Sequence, residues 1–194
     1  MDDEIRFQRI EGRSTAFRVT VAVLALFVLA GLFSTLMMMK HGVHLSGMTN
    51  RVPWGVQIIM AVFYIGPSAG SLVVSGLYGV FGKADYKPFA RLAAFMAMLF
   101  LIAGLLSILT DQGRMDRVFV EPFVHYNPSS MFSINPGLYT GHILLCVIYL
   151  WALFREKKLL IKISAVTVVC WAICVHSGTA AIFGFVPREL YQSP

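Results

Sequence analysis

Charge is what this chain has least of. Of its 194 residues, 16 are Lys or Arg and 10 are Asp or Glu, 13% together, against 57% hydrophobic. A soluble domain carries about 25% charged residues, so this chain cannot clothe a water-facing surface of its own. Cysteine is nearly as scarce, with Cys146, Cys170 and Cys174 all inside apolar runs and no CxxC or CxxCH spacing. That excludes an iron–sulfur cluster and a c-type haem held by this chain. Cys170 and Cys174 lie one helical turn apart, but two thiols alone make a poor metal site. The three cysteines are therefore read as small buried apolar residues. Histidine in the apolar runs is limited to His142 and His176. A dihaem core needs two pairs, and the spacing does not favour even one haem. The formal charge of +6 does not point to nucleic acid, because the basic residues sit at the ends of apolar runs.

Long apolar runs are what the chain has in place of charge. They cover 17–39, 54–81, 89–110, 138–154 and 160–185. A bilayer span takes about 20 apolar residues, and lipid offers no partner to a free backbone N–H or C=O, so each run must be a helix. The expected fold is an all-α integral membrane protein with five transmembrane helices. Residues 1–16 form a tail, 17–39 the first span, 54–185 a four-helix bundle and 186–194 a second tail. The first run follows Arg6, Arg9, Arg13 and Arg18, as a signal peptide would, but it is long and no small-residue cleavage site follows it, so it reads as a retained span.

Basic residues set the topology. Eleven of the sixteen fall in the N-terminal segment (Arg6, Arg9, Arg13, Arg18), the second loop (Lys83, Lys87, Arg91) and the fourth loop (Arg155, Lys157, Lys158, Lys162). The positive-inside bias puts these segments and the N-terminus in the cytoplasm and the C-terminus outside. The two longest loops, 40–53 and 111–136, then face outward, where a partner would dock.

Polar residues within a span are costly, so each asks for a reason. His176 lies 14 residues after Lys162, about 21 Å along a helix, in the outer half of its span. His142 sits near the outer start of the fourth span, and Asp111 closes the third on the same side. His44, Asn50 and Trp54 lead into the second. Residues from different spans thus converge on one depth, as a site opening toward the outer leaflet requires. Each also has a plain alternative. A lone His often only bonds a neighbouring helix, and Asp111 can simply pair with Arg114 at the surface. In the second span, Ser71, Ser75 and Gly79 recur every four residues and suit close helix packing. Pro67, next to Gly66, removes a backbone bond and leaves room for a flat ring.

Five motifs, in order, carry a resemblance. They are Val52-Pro53-Trp54-Gly55, Gly66-Pro67-Ser68-Ala69-Gly70, Asp111-Gln112-Gly113-Arg114-Met115-Asp116-Arg117, Asn127-Pro128-Ser129-Ser130-Met131-Phe132, and His176-Ser177-Gly178 with Ile182-Phe183-Gly184. Together they resemble the NrfD / polysulfide reductase membrane-subunit family from about Gly42 to Tyr191. The resemblance implies a haem-free membrane anchor that exchanges electrons with menaquinone or ubiquinone through a four-helix bundle. Its implied partners are a ferredoxin-like iron–sulfur subunit, with a molybdopterin enzyme or multihaem cytochrome beyond it, in a bacterial or archaeal cytoplasmic membrane. His176 falls where the family places a ring-bearing polar residue beside the quinone. The Asp111 motif and the segment from Asn127 through Ser130 to Met131 fall at the outer mouth of the pocket. Two departures stand out: Met115 replaces the usual Pro, and family members have eight to ten spans. A half-length member, or one completed by a second membrane polypeptide, is the expectation.

On this reading His176 and Asp111 are the catalytic candidates. Neutral His176 accepts a proton from a bound quinol and Asp111 passes it outward. Trp54, Gly66, Pro67, Asn127, Ser130, His142 and His176 are the quinone-binding candidates, and Trp54, Arg114, His125 and Tyr126 mark the docking surface. The competing class is half of a split transporter, or an assembly subunit with no redox role. Against the transporter, the polar residues gather near one face and not at the midplane.

Overall fold

The computed structural model describes residues 12–49, 54–113, 117, 120 and 124–184. Asn50 to Pro53, Arg114 to Asp116 and the Arg188 segment lie outside the described residues. Five long helices follow one another: α1 (Thr15–His41), α2 (Val56–Gly79), α3 (Lys87–Asp111), α4 (Met131–Arg155) and α5 (Lys158–Gly184). All five are long and apolar enough to cross a membrane, and no strand occurs among the described residues. The protein is an all-α integral membrane protein.

Local chemistry sets the boundaries. Ser14 caps α1 by accepting the Phe17 N–H at 3.1 Å, and Gly42, at φ 97°, ends it in a conformation that glycine tolerates best. Pro88 sits in the first turn of α3, where a missing N–H costs nothing. Helix α4 stops at Glu156, which adopts a left-handed φ of 55° and lets α5 begin two residues later.

Helices α2 to α5 form a ring in which α2 packs on α3, α3 on α4, α4 on α5 and α5 back on α2. Lipid tails are as apolar as Leu, so close packing holds such a bundle together, and small residues allow it. The buried line of α3 is Ala90, Ala94, Ala97, Leu101 and Gly104, at alternating spacings of four and three. Facing it, Ser68 donates to the Ala97 carbonyl at 2.7 Å and Ser75 to the Ala90 carbonyl at 2.8 Å. The buried line of α2 therefore runs through Ser68, Leu72, Ser75 and Gly79. Ser71, expected from its four-residue spacing to share that face, is only partly buried, because the packing stripe alternates threes and fours. Helix α1 stands apart, with Met38 as its one buried residue.

The cysteines differ from expectation. Cys146 is buried, but Cys170 and Cys174 are exposed. Helix α5 packs through Ile161, Ala165, Val168, Ala172 and Val175, and the two thiols lie on its other, exposed face.

A pocket between the helix ends and its polar wall

At the end of the bundle where α3 stops and α4 begins, the four helices splay around a cavity of about 530 Å³. Its wall is mostly apolar: Ile58, Ala61 and Ile65 from α2, Leu105 and Ile108 from α3, Phe132 from α4, Ile182 and Phe183 from α5. Trp54, just before α2, closes one side, its ring 5.3 Å from that of Phe183 at a 55° tilt.

Few polar groups enter this wall, and three are unsatisfied. Trp54 Nε1, Asp111 Oδ1 and Asn135 Oδ1 are buried with no hydrogen-bond partner, and all three residues line the cavity. Buried polar atoms are paired in the great majority of cases, so each orphan asks for an explanation. The three residues bring one donor and two acceptors into the wall of one apolar space. Asn135 is itself held: its Nδ2 donates to the Gly178 carbonyl at 3.1 Å, and it is only 2% exposed. Gly178 must be glycine, since a Cβ there would overlap Asn135 Oδ1. Thr179 donates to the Val175 carbonyl at 2.8 Å, so the 2.8 Å contact with Tyr139 has the Tyr139 hydroxyl as donor.

Of the candidates read from sequence, the structure brings Trp54 and Asp111 together in this wall. His176 does not line it. The ring lies against a separate cavity of about 240 Å³ between α2 and α5. Its Nδ1 faces the Ala172 carbonyl at 2.7 Å and its Nε2 the Ile65 carbonyl at 3.1 Å. A neutral ring has one N–H and makes one of these bonds. Ile65 lines the larger pocket, so His176 touches that pocket through the backbone of its wall. His142 is buried in the bundle below, 1% exposed, with Nδ1 unpartnered. Gly66 is exposed and Pro67 is half-buried within α2, and neither lines the pocket. Asn127 and Ser130 stand at the approach to α4: Asn127 Oδ1 accepts the Ser129 N–H at 3.0 Å, and Ser130 is the residue before the helix.

Sequence reasoning misses Asn135, Tyr139 and Thr179. A signal for two of them is present. Asn135, Tyr139, His142, Cys146 and Tyr149 recur at spacings of four, three, four and three, one face of a helix.

Four membrane-length helices around an end pocket define an integral membrane protein with a candidate site at one end of its bundle. The chain belongs to the family described as Polysulphide reductase, NrfD, which it matches over residues 44–194. It is 41% identical over 190 residues to the Hdr-like menaquinol oxidoreductase integral membrane subunit of Archaeoglobus fulgidus, covering 97% of this chain and 47% of that one. It is 28% identical over 208 residues to a selenate reductase subunit of Mesobacillus selenatarsenatis, covering 87% and 49% respectively. The chain thus spans about half the length of these curated relatives. No solved structure matches it.

Proposed function

We propose that this chain is a quinone-reactive membrane anchor that exchanges electrons between the quinone pool and an iron–sulfur subunit of a respiratory oxidoreductase complex. The observation that carries the reading is the apolar pocket whose only buried, unpartnered polar atoms are Trp54 Nε1, Asp111 Oδ1 and Asn135 Oδ1 among the residues that line it. Its volume lies within the usual range for small-molecule sites, about 300–1,000 Å³. The printed names of its relatives, one a menaquinol oxidoreductase subunit and one a reductase subunit, point the same way.

A quinol, when bound, supplies two electrons and two protons. The chain's own residues do the rest. Asp111 and Asn135 would accept hydrogen bonds from ring hydroxyls, and Trp54 would donate one to a ring oxygen. Asp111, at the pocket mouth, takes a hydroxyl proton as general base. Phe132, Ile182 and the α2 wall hold the flat ring and keep water out. His176 lies between the Ala172 and Ile65 carbonyls, so its part is to position the wall. Trp54, His125 and Tyr126 would form the docking surface for the subunit that carries the electron acceptor. The basic turns at the far end support a cytoplasmic N-terminus, with the pocket toward the outer face.

The test is purification from mild detergent, organic extraction for quinones, and mass spectrometry of co-purifying chains. Bound quinone that disappears in the Asn135→Leu variant, with an iron–sulfur subunit alongside, is the expected result. A folded protein with neither would sink the reading.

A further inference from the structure

The seam between α2 and α5 holds more than the pocket. A second cavity, of about 240 Å³, lies further along it, lined by Ala69, Leu72 and Val73 of α2 and by Val169, Ile173 and His176 of α5. Besides His176, the wall holds one polar residue, Ser177, and both His176 nitrogens face backbone carbonyls. The space suits hydrocarbon, not a polar group.

The two cavities share one face of each helix. On α2, Val62 lines the pocket, and Ala69 and Val73 line the second cavity. With Gly66 between them the spacings are four, three and four, a single stripe of a helix. On α5, Phe183 lines the pocket, and His176, Ile173 and Val169 line the second cavity. Ala180 falls between, at spacings of three, four, three and four. Each helix therefore carries a small, exposed residue between the cavities, Gly66 and Ala180. A Cβ at Gly66 would meet nothing within 4 Å, so α2 leaves that stretch open. Val62, Val73 and Ile173 are 44%, 62% and 64% exposed, so the stripe faces outward from the bundle. From Val62 to Val73 it runs about 16 Å. Helices in lipid are held by contact with one another, and a seam that served packing alone would close. This one stays open along the length next to the pocket.

We propose that the α2–α5 stripe is a tail groove, holding the polyprenyl chain of the ligand whose ring fills the pocket. It rests on the quinone reading for the ring and adds where the chain lies. A prenyl chain along this stripe buries apolar surface on both partners. Gly66 and Ala180 let it pass close to the helix backbones, and the His176 ring lies against it. A phospholipid acyl chain has similar chemistry, but the continuity of the stripe with the pocket favours the ligand's own chain.

The test measures binding of two quinones to the purified full chain in detergent: menadione, a naphthoquinone without a tail, and its geranylgeranyl-tailed counterpart. Gly66→Leu places a side chain across the groove where the protein leaves it room. In that variant the preference for the tailed over the tailless quinone should fall about tenfold from that of the parent, the effect of a few lost CH₂ contacts. Partition into detergent is common to both proteins and cancels. An unchanged preference overturns the groove while the quinone reading stands. Failure of the parent to bind either quinone overturns both. If Gly66→Leu does not fold, a tailed quinone with a diazirine at the end of its chain decides on the parent protein. Labelling at Ala69, Val73 or Ile173 that excess tailed quinone competes away supports the groove. Labelling confined to other helices overturns it, and so does labelling of those three residues by a diazirine phospholipid that the tailed quinone does not displace.

Discussion

The two halves of the four-helix bundle do opposite things. In the half toward the basic turns, Ser75, Tyr149, Ala90 and Ala165 close on one another, and the Ser75 and Tyr149 hydroxyls are bonded. Gly79 leaves no room for a Cβ, which would run into the Tyr149 hydroxyl and the Ala165 methyl. In the half toward Asp111 the helices part around about 530 Å³, and three buried polar atoms have no hydrogen-bond partner. A chain that only needed to pack would close both halves alike. The tight half fixes the helix positions, and that rigidity allows the other half to hold an apolar cavity with unsatisfied groups.

The contrast predicts that bulk is ruinous in one half and tolerable in the other. Gly79→Leu should have the largest effect, because overpacking costs about 1–3 kcal/mol even where neighbours can shift. Here the neighbours are a bonded Tyr and a buried Ala. Thermal unfolding in detergent should show a protein that no longer holds its fold, while Val62→Phe, at the open rim of the cavity wall, unfolds near the parent temperature and loses bound quinone. Similar melting of the two variants would erase the contrast. Next comes Asp111→Asn. If Asp111 is the general base, quinol oxidation by the assembled complex should fall about 10²–10⁴-fold with the melting temperature unchanged. A loss of stability with full turnover per folded molecule would assign Asp111 to structure.

The fold is legible in the sequence because the membrane narrows the choices. Apolar length alone locates the helices, and α1, α2, α3 and α5 begin and end within a few residues of the runs read from sequence. Helix α4 begins seven residues earlier than its run, at Met131. Its first turns carry Ser133, Asn135 and Pro136, whose polarity masks a helix that Tyr139 and Thr179 help to hold. The site is legible at its rim. Trp54 and Asp111 mark span ends, where a polar residue is conspicuous. Asn135 is hidden, because a polar residue before an apolar run reads as loop. The orientation of His176 is not legible either, since sequence gives depth along a helix but says little about which carbonyl a ring will meet. This α5 ring meets Ala172 O on its own helix and Ile65 O across the interface with α2.

Smaller perturbations sharpen the comparison within the tight half itself. Tyr149→Phe removes the hydroxyl that bonds Ser75. Ser75 keeps its bond to Ala90, so the expected loss is about 1 kcal/mol, seen as a lower melting temperature with quinone retained. Glu156→Gln should do least. It breaks the 2.6 Å contact with Arg91 and the 3.8 Å contact with Lys87, yet those side chains are 42% to 56% exposed. An ion pair that open to water contributes about 0–1 kcal/mol. Arg91 also keeps its carbonyl partner Leu153 and its place 5.2 Å from the Phe154 ring. Melting measured at low and high salt separates the two effects: the Tyr149→Phe loss should not depend on salt, whereas the smaller Glu156→Gln loss should vanish as salt screens the parent pair. If Glu156→Gln instead cost as much as Tyr149→Phe at both salt levels, the turn between α4 and α5 would belong to the rigid frame and not to its solvated edge.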